Sequence, residues 1–333
     1  MIKVGINGFG RIGRQILRAK LKYPEFNNFD IIAINDLASS EMLAYLLKYD
    51  SIFGKLPYEI KAEQNYIIIN NKKIRIFQEP QPEKIPWNEE KVNYVIEATG
   101  RFTNANEARK HLLKGAKRVI ITAPAVNEDI TIVMGVNEHL YEPSTHFVIS
   151  TSSCISNSAI VVLNLLMKFY NIEKCFLTSV HAYTNTQRLL DMVHPTDFRR
   201  SRAAGLNMVP VGVDFNTIEK VIPVLRNKID GVCIRVPVPS VSLNDLCILI
   251  KENTNSAKVN ILFKENQNKY LRYTEEPIVS SDIIGDTHSA IIDGLSTKVI
   301  GDNLIKILAW YDNEWSYALR ILDLIKWIAE KEI

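Results

Sequence analysis

Short apolar runs punctuate the first half of the chain, and stretches of helical spacing lie between them. Ile2–Ile6 reads as a buried strand. Arg11–Lys22 follows with Ile12, Ile16, Leu17 and Leu21 near helical spacing. Asp30–Asn35 is a second apolar run, and Ser40–Lys48 a second helix with Ser39 or Ser40 as N-cap. Tyr66–Ile69 and Lys73–Phe77 are rich in β-formers and flank Asn70-Asn71, a hairpin signal. Tyr94–Ala98, a helical Asn104–Leu113 and Arg118–Thr122 continue the alternation. This rhythm predicts a mostly parallel sheet with helices on both faces.

Beyond about residue 150 the rhythm changes. Ile160–Phe169 reads as an apolar helix. Glu173–His181, Val232–Pro237, Asp245–Ile250 and Leu304–Tyr311 are longer β-type runs. A polar, Arg-rich segment, Thr184–Gly205, separates two of them, and connections of that length are usually functional or interfacial. Leu319–Lys331 closes the chain as an amphipathic helix. The expected fold class is α/β. A Rossmann-type doubly wound parallel sheet spans residues 1–152, and an α+β domain with a mixed or antiparallel sheet spans 153–318. The helix 319–333 is expected to pack back on the first domain.

Composition refines this picture only slightly. The 333 residues suffice for two domains, with 47% hydrophobic and 23% charged residues, as in ordinary globular chains. A net charge of +3 gives no electrostatic case for nucleic acid or an anionic membrane surface. The cysteines, Cys154, Cys175, Cys233 and Cys247, form neither a CxxC pair nor a dense framework, so free thiols and no metal site are expected. No apolar run is long enough to span a bilayer, and no basic-then-apolar leader opens the chain. A cytoplasmic location is expected.

Two places carry candidate chemistry. Gly8-Phe9-Gly10-Arg11-Ile12-Gly13 fits GxGxxG, directly after a strand and opening a helix. Gly8 would allow the tight turn, Gly10 the close approach of a pyrophosphate, and Gly13 close helix–strand packing. Asp36 ends the second run about 20 residues on, where a carboxylate would take both ribose hydroxyls and repel a 2′-phosphate. NAD is therefore the expected cofactor; an ordinary turn aspartate is the alternative. Cys154 sits in Ser150-Thr-Ser-Ser-Cys-Ile-Ser-Asn157 before an apolar helix, whose positive end would favour a thiolate nucleophile. A lone cysteine is otherwise a small buried hydrophobe. His181, ending a β-run, is a candidate general base or a structural histidine; spacing alone does not bring it to Cys154.

At this point the chain resembles the glyceraldehyde-3-phosphate dehydrogenases over essentially its whole length. The stretches carrying the likeness include INGFGRIGR (6–14), YDSIFG (49–54), EATGRF (97–102), SSCISN (152–157), TSVHAYTNTQRLLD (178–191), RRSRAA (199–204), IRVPVPSVSLNDL (234–246) and YDNEWSYALRILDL (311–324). The erythrose-4-phosphate dehydrogenases share most of them. The resemblance implies that Gly8, Gly10, Arg11, Ile12, Gly13 and Asp36 hold NAD. It implies Thr99, Gly100, Thr122 and Ala123 as lining of the cleft, and Asn313 as the partner of the nicotinamide carboxamide. It makes Cys154 the nucleophile and His181 its base. It assigns Thr184 and Arg235 to the substrate's phosphate, and Ser153 and Arg200 to the attacking inorganic phosphate. A homotetramer is implied, with Thr184–Gly205 packed near a neighbour's cofactor.

The chain departs from that pattern in one cluster. The residue after the nucleophile, usually Thr, is Ile155, and the family's second cysteine is Ser158. Val213 and Asp214 stand where the family carries Thr-Gly. Ile155 and Val213 remove two hydroxyl donors, and Asp214 adds a negative charge near an anion. A further departure is Gln78-Glu79-Pro80, where an arginine is frequent, and Ser316 replaces a usual glycine. The leading expectation is an NAD-dependent, phosphorylating triose-phosphate dehydrogenase. The alternative is a dehydrogenase of erythrose 4-phosphate or a similar phosphorylated aldehyde, with water releasing the acid.

Overall fold

A computed structural model describes residues 1–213 and 215–332. The chain divides into two compact units, one of Met1–Ser153 with Ala318–Ile333, the other of Cys154–Tyr317.

The first unit holds β1 (Ile2–Asn7), β2 (Phe29–Asn35), β3 (Ile60–Glu63), β4 (Tyr66–Ile69), β5 (Lys72–Phe77), β6 (Tyr94–Glu97), β7 (Arg118–Ile121), β8 (Ile130–Thr131) and β9 (Val148–Ser150). Their order is β3-β4-β5-β2-β1-β6-β7-β9-β8. Every pairing from β5 through β8 is parallel. Parallel strands are covered on both faces, which explains why β6 and β7 are buried at every position. The hairpin expected at Asn70-Asn71 joins β4 to β5, and both asparagines are left-handed (φ 45° and 70°). Strand order reverses at β1, between β2 and β6, so the crevice at the carboxyl ends of these strands is the place for a ligand.

Two helices differ from the sequence reading. Asn104–Leu113 is only partly α-helical: Asn104 caps a short helix, Ala105–Ala108, which tightens into a 3₁₀ stretch, Arg109–Lys114, closed by left-handed Gly115. The last helix begins earlier than its apolar spacing suggested, running from Trp315 to Lys331, and is buried along most of its length. Leu319, Ile321, Leu322, Leu324, Ile325 and Ile328 are all buried, and so are Arg320 and Asp323. The two charges are tolerated there because they pair at 2.9 Å. Glu332 ties the end of this segment down by accepting from Tyr94 and Tyr141 hydroxyls (both 2.6 Å) and pairing with Arg118 (2.7 Å).

The second unit holds β10 (Ile172–Ala182), β11 (Val209–Val211), β12 (Ile229–Val236), β13 (Ser242–Ile250), β14 (Leu271–Thr274), β15 (Ala290–Asp293), β16 (Lys298–Ile300) and β17 (Leu304–Tyr311). The sheet is mixed, in the order β11-β12-β10-β13-β17-β15-β14, with β16 against β17. β10 and β12 run parallel, and β10 and β13 antiparallel. The helix Cys154–Leu166 packs on this sheet and starts six residues before the apolar stretch alone suggested. Pro210 lies in β11, an edge strand, where a missing N–H costs no ladder bond. The segment Thr184–Gly205 is less polar than its arginines implied. Leu189, Val193 and Phe198 are 85%, 81% and 97% exposed, an unusual display of large apolar side chains. Among the described residues no helix is long and apolar enough to cross a membrane.

Candidate active site

In the first unit, the turn from β1 into the helix Arg11–Lys22 forms a cradle. Gly8 has φ +91°, and a Cβ there would meet the Thr99 backbone nitrogen at 2.7 Å. A Cβ on Gly13 would lie 2.3 Å from the Gly8 carbonyl oxygen, so only glycine lets helix and turn close. Above Gly10, the N-cap, the space is open, and the first helical turn carries no acid. The backbone N–H groups of the first turn and the positive helix end thus face a volume suited to a pyrophosphate. Ile12 is half-buried beside it, and Arg11 is held by Asp50 at 2.6 Å.

Asp36 follows β2, half-buried. One carboxylate oxygen accepts from Phe9 N (2.8 Å) and the other from Ala38 N (3.0 Å). Each oxygen keeps a second acceptor direction for a ribose hydroxyl. These groups fit an NAD-type dinucleotide. Asp36→Ala is expected to raise the KM for NAD about 10- to 100-fold, on about 1.5–3 kcal/mol per lost charged hydrogen bond, and to narrow the preference over NADP. Steady-state kinetics with both dinucleotides check this.

Beneath the cradle lies a buried network that sequence reasoning missed. Glu97, at the end of β6, accepts from Asn7 Nδ2 (2.5 Å) and Thr99 N (2.9 Å). Trp87 Nε1 donates to His111 Nδ1 (3.0 Å), which leaves the ring proton on Nε2, 3.0 Å from Glu97. Asn35 Nδ2 donates to Asn7 Oδ1 (2.8 Å) and to the Glu79 carbonyl (2.9 Å). Three strand ends are thereby cross-linked under the loops bearing Gly8, Asp36 and Thr99. Gly100 (φ +67°) is exposed; Thr122 Oγ1 donates to the Glu97 carbonyl (3.2 Å), and the Ala123 carbonyl accepts from Ser150 (2.8 Å). The signal lay in polar residues at the ends of apolar strands, Asn7, Asn35 and Glu97.

In the second unit, Cys154 opens its helix and His181 lies near the end of β10. The sheet brings His181 Nε2 to 3.4 Å from Cys154 Sγ. The parallel register of β10 and β12 sets Arg235 opposite His181. Arg235 Nη1 touches His181 Nδ1 and lies 3.2 Å from the Ala182 carbonyl, itself 2.7 Å from Nδ1. Tyr311 presents its ring edge-on to His181, centroids 6.2 Å apart, with its hydroxyl bonded to Ser179 Oγ (3.0 Å).

Burial here opposes the favourable effect of the helix end on the Cys154 thiolate. Burial pushes the Cys154 thiol up to about 11, and Arg235 and the helix-end backbone only partly oppose it. Burial, with Arg235 beside it, holds His181 down at about 3. Both shifts favour the uncharged forms, and the geometry lets Nε2 take the proton of Sγ as the thiol attacks. The other three cysteines are free.

The remaining sequence candidates are more scattered. Thr184, half-buried just past β10, shares a hydrogen bond with Thr186 (2.9 Å). Ser153 precedes Cys154, after left-handed, buried Ser152. Ile155 is buried, its carbonyl accepting from Asn244 Nδ2 (3.0 Å). Arg200 pairs with Asp197 at 3.1 Å in its own turn. Val213 is half-buried beyond β11, and Asp214 lies outside the described residues. Asn313 is buried in this unit and accepts from Ser242 Oγ (3.2 Å). Ser242 Oγ also accepts from Ala182 N (3.2 Å), linking the strand end beyond His181 to Asn313. Its neighbour Val241 is held at φ 69°, a strained conformation for a β-branched residue. Ser242, Asn244 and Tyr311 were missed; their signal is polar atoms at buried positions of otherwise apolar strands.

Comparison with known proteins places these features in context. Residues 2–105 match the model of the glyceraldehyde 3-phosphate dehydrogenase NAD binding domain, and 153–313 that of the C-terminal domain of the same family. The chain is 45% identical to a glyceraldehyde-3-phosphate dehydrogenase of Geobacillus stearothermophilus over 335 aligned residues, covering 99% of each. It is 44% identical, with the same coverage, to glyceraldehyde-3-phosphate dehydrogenase 1 of Bacillus subtilis and to the Priestia megaterium enzyme.

Proposed function

The chain belongs to the glyceraldehyde-3-phosphate dehydrogenase family of NAD-dependent aldehyde oxidoreductases, and from that premise we propose how its residues perform the phosphorylating oxidation. The observation that carries the reading is the 3.4 Å approach of Cys154 Sγ to His181 Nε2 with Arg235 alongside. Cys154 attacks the aldehyde as His181 takes the thiol proton and passes it to the carbonyl oxygen, giving a thiohemiacetal. His181 then removes the hydroxyl proton as hydride leaves, and a thioester remains on Cys154. Bound NAD would supply the hydride acceptor; Gly8, Gly10, Arg11, Ile12, Gly13 and Asp36 would hold it, with Thr99, Gly100, Thr122 and Ala123 beside them, and Asn313 is proposed as the partner of its carboxamide. Arg235 and Thr184 anchor the substrate's phosphate through charged and hydroxyl donors. Inorganic phosphate, received near Ser153 and Arg200, then takes the acyl group and releases an acyl phosphate. Residues 1–152 with the helix 319–333 form the NAD-binding domain and 153–318 the catalytic domain, in a cytoplasmic enzyme.

The test is NADH formation with glyceraldehyde 3-phosphate, with and without inorganic phosphate, and erythrose 4-phosphate in parallel. Turnover of the triose that requires phosphate supports the proposal. Phosphate-independent turnover, or a preference for the tetrose, favours hydrolytic release instead. Ile155 and Val213, which offer no hydroxyl, stand on that side. Restoring it, Ile155→Thr is expected to lower the KM for phosphate about tenfold or more, given roughly 1.5–3 kcal/mol for a hydrogen bond to a charged group; phosphate titrations of both enzymes measure this.

The apolar display of Leu189, Val193 and Phe198 supports self-assembly, and we propose the homotetramer. Light scattering on the purified protein is expected to return four times the 37.9 kDa chain mass. A monomer would contradict it.

A further inference from the structure

β13 and β17 pair antiparallel, and their register sets Ser242 beside Tyr311, two residues before Asn313. Ser242 is buried, and its hydroxyl oxygen accepts from Ala182 N at 3.2 Å. A backbone N–H can only donate, so one lone pair is taken and the hydroxyl proton needs an acceptor of its own. Asn313 Oδ1, 3.2 Å away, is that acceptor. The reverse orientation of the amide would aim Nδ2–H, a second donor, at the same oxygen. It would also leave a buried hydroxyl proton without a partner, which costs free energy. The relay from Ala182 N through Ser242 Oγ to Asn313 Oδ1 therefore has one direction. It leaves the donor end of Asn313 unspent: among the described residues no group accepts from Nδ2.

The backbone around both residues is fixed independently of the relay. Asp312, fully buried, accepts from Glu314 N (2.9 Å) and Trp315 N (2.8 Å) through one oxygen, and from Gly285 N (2.8 Å) through the other. Ser316 Oγ donates to the Asp312 carbonyl at 2.8 Å. Asn313 thus stands on a backbone clipped on both sides. On the other strand Val241, next to Ser242, is held left-handed at φ 69° by its burial with Ile283 and Ile291. With both backbones held, the Ser242 hydroxyl is what decides which end of the Asn313 amide faces outward.

We propose that Ser242 is a positioning residue that sets specificity at the pyridine end of the cofactor: by fixing the Asn313 amide it offers a hydrogen-bond donor and no acceptor, so the site reads the carbonyl oxygen of the carboxamide and not its amino group. This inference rests on the proposed role of Asn313 as the partner of the nicotinamide carboxamide. A carbonyl oxygen only accepts, whereas an amino group on the ring mainly donates, so a donor end of fixed direction separates the two. Dinucleotides that keep a carbonyl at that position are accepted, and those that carry an amine there are rejected.

The test is calorimetric titration of the full chain with two probes. 3-Acetylpyridine adenine dinucleotide keeps the carbonyl and lacks the amino group; 3-aminopyridine adenine dinucleotide has an amine in place of the carboxamide. The native protein is expected to bind the acetyl probe at least about tenfold more tightly, the scale of one hydrogen bond lost at a buried site. Ser242→Ala frees the amide to turn, and the two dissociation constants should then agree within about threefold. Ser242→Thr keeps the hydroxyl and should restore the preference. A merely structural role would weaken both probes alike and leave their ratio unchanged, which overturns the inference, as does loss of the preference in Ser242→Ala and Ser242→Thr together. Asn313→Ala separates the two readings. If it leaves the native preference intact, Asn313 is not the carboxamide's partner and that reading fails. If it abolishes the preference while Ser242→Ala keeps it, only the role of Ser242 fails. Should Ser242→Ala not fold, the native protein decides: equal binding of the probes overturns the inference, and a tenfold preference that Asn313→Ala abolishes supports it.

Discussion

Cys154→Ser is expected to lower kcat for aldehyde oxidation by at least about 10⁴-fold, as loss of the nucleophile does where the catalytic group acts as a unit. The hydroxyl is a far weaker nucleophile, and His181 at 3.4 Å cannot make up the difference. The cofactor cradle, built on Gly8, Gly13 and Asp36 in the first unit, is left untouched. NAD binding, read by quenching of tryptophan fluorescence, should therefore stay within about twofold of the native protein, below the tenfold that 1.4 kcal/mol represents. Retained turnover would mean that another group forms the covalent bond. Loss of both turnover and NAD binding would point to misfolding, which a thermal melt would reveal.

His181→Asn is expected to reduce kcat/KM at pH 7 by about 10²–10⁴-fold, the usual contribution of a positioned general base. The pH dependence is more diagnostic. In the variant Cys154 must ionise without help, and burial holds its thiol up at about 11. At pH 7 only about one molecule in 10⁴ would carry the thiolate. The variant's rate should therefore climb about tenfold per pH unit from 7 towards 10. The native enzyme should be nearly flat there, because His181, held down at about 3, remains an unprotonated base throughout. The sign is fixed: lowering the pH from 8 to 6 protonates an ordinary histidine but not one this depressed, so the native rate should survive that interval. Rates of alkylation by iodoacetamide and of NADH formation across pH both report it. A variant with the flat native profile would remove His181 from the role of base.

The fold was readable wherever local chemistry and burial agreed. The helices Arg11–Lys22 and Ser40–Lys48 have the bounds that their spacing predicts. The two asparagines turn the β4–β5 hairpin because both adopt the left-handed conformation that asparagine tolerates. The short strands β14 and β15 escaped notice: four residues each are too few for periodicity to speak. The burial of Arg320 and Asp323 in the last helix could not be read, because only the folded chain shows that they pair with each other.

The candidate site was half legible. GxGxxG and Asp36 announce themselves because phosphate and ribose impose glycine and carboxylate at fixed spacing. The approach of Cys154 to His181 could not be read, since it depends on how the helix Cys154–Leu166 seats on the mixed sheet. Nor could the resting state of the thiol, because a helix end favours the thiolate while burial opposes it more strongly. Ser242, Asn244 and Glu97 stayed hidden for a common reason: each is a polar residue in an apolar strand, and only the folded chain supplies its partners.

The central claim is that oxidation stops at a thioester on Cys154 until phosphate removes the acyl group. It is tested most directly by mixing the purified protein with NAD and glyceraldehyde 3-phosphate in phosphate-free buffer, and following NADH on the millisecond scale with intact-mass analysis of the quenched chain. The account predicts a burst of one NADH per active site, a chain carrying the acyl group at Cys154, and steady turnover only when phosphate is added. Linear NADH formation without phosphate, or a chain of unmodified mass after the burst, would contradict it.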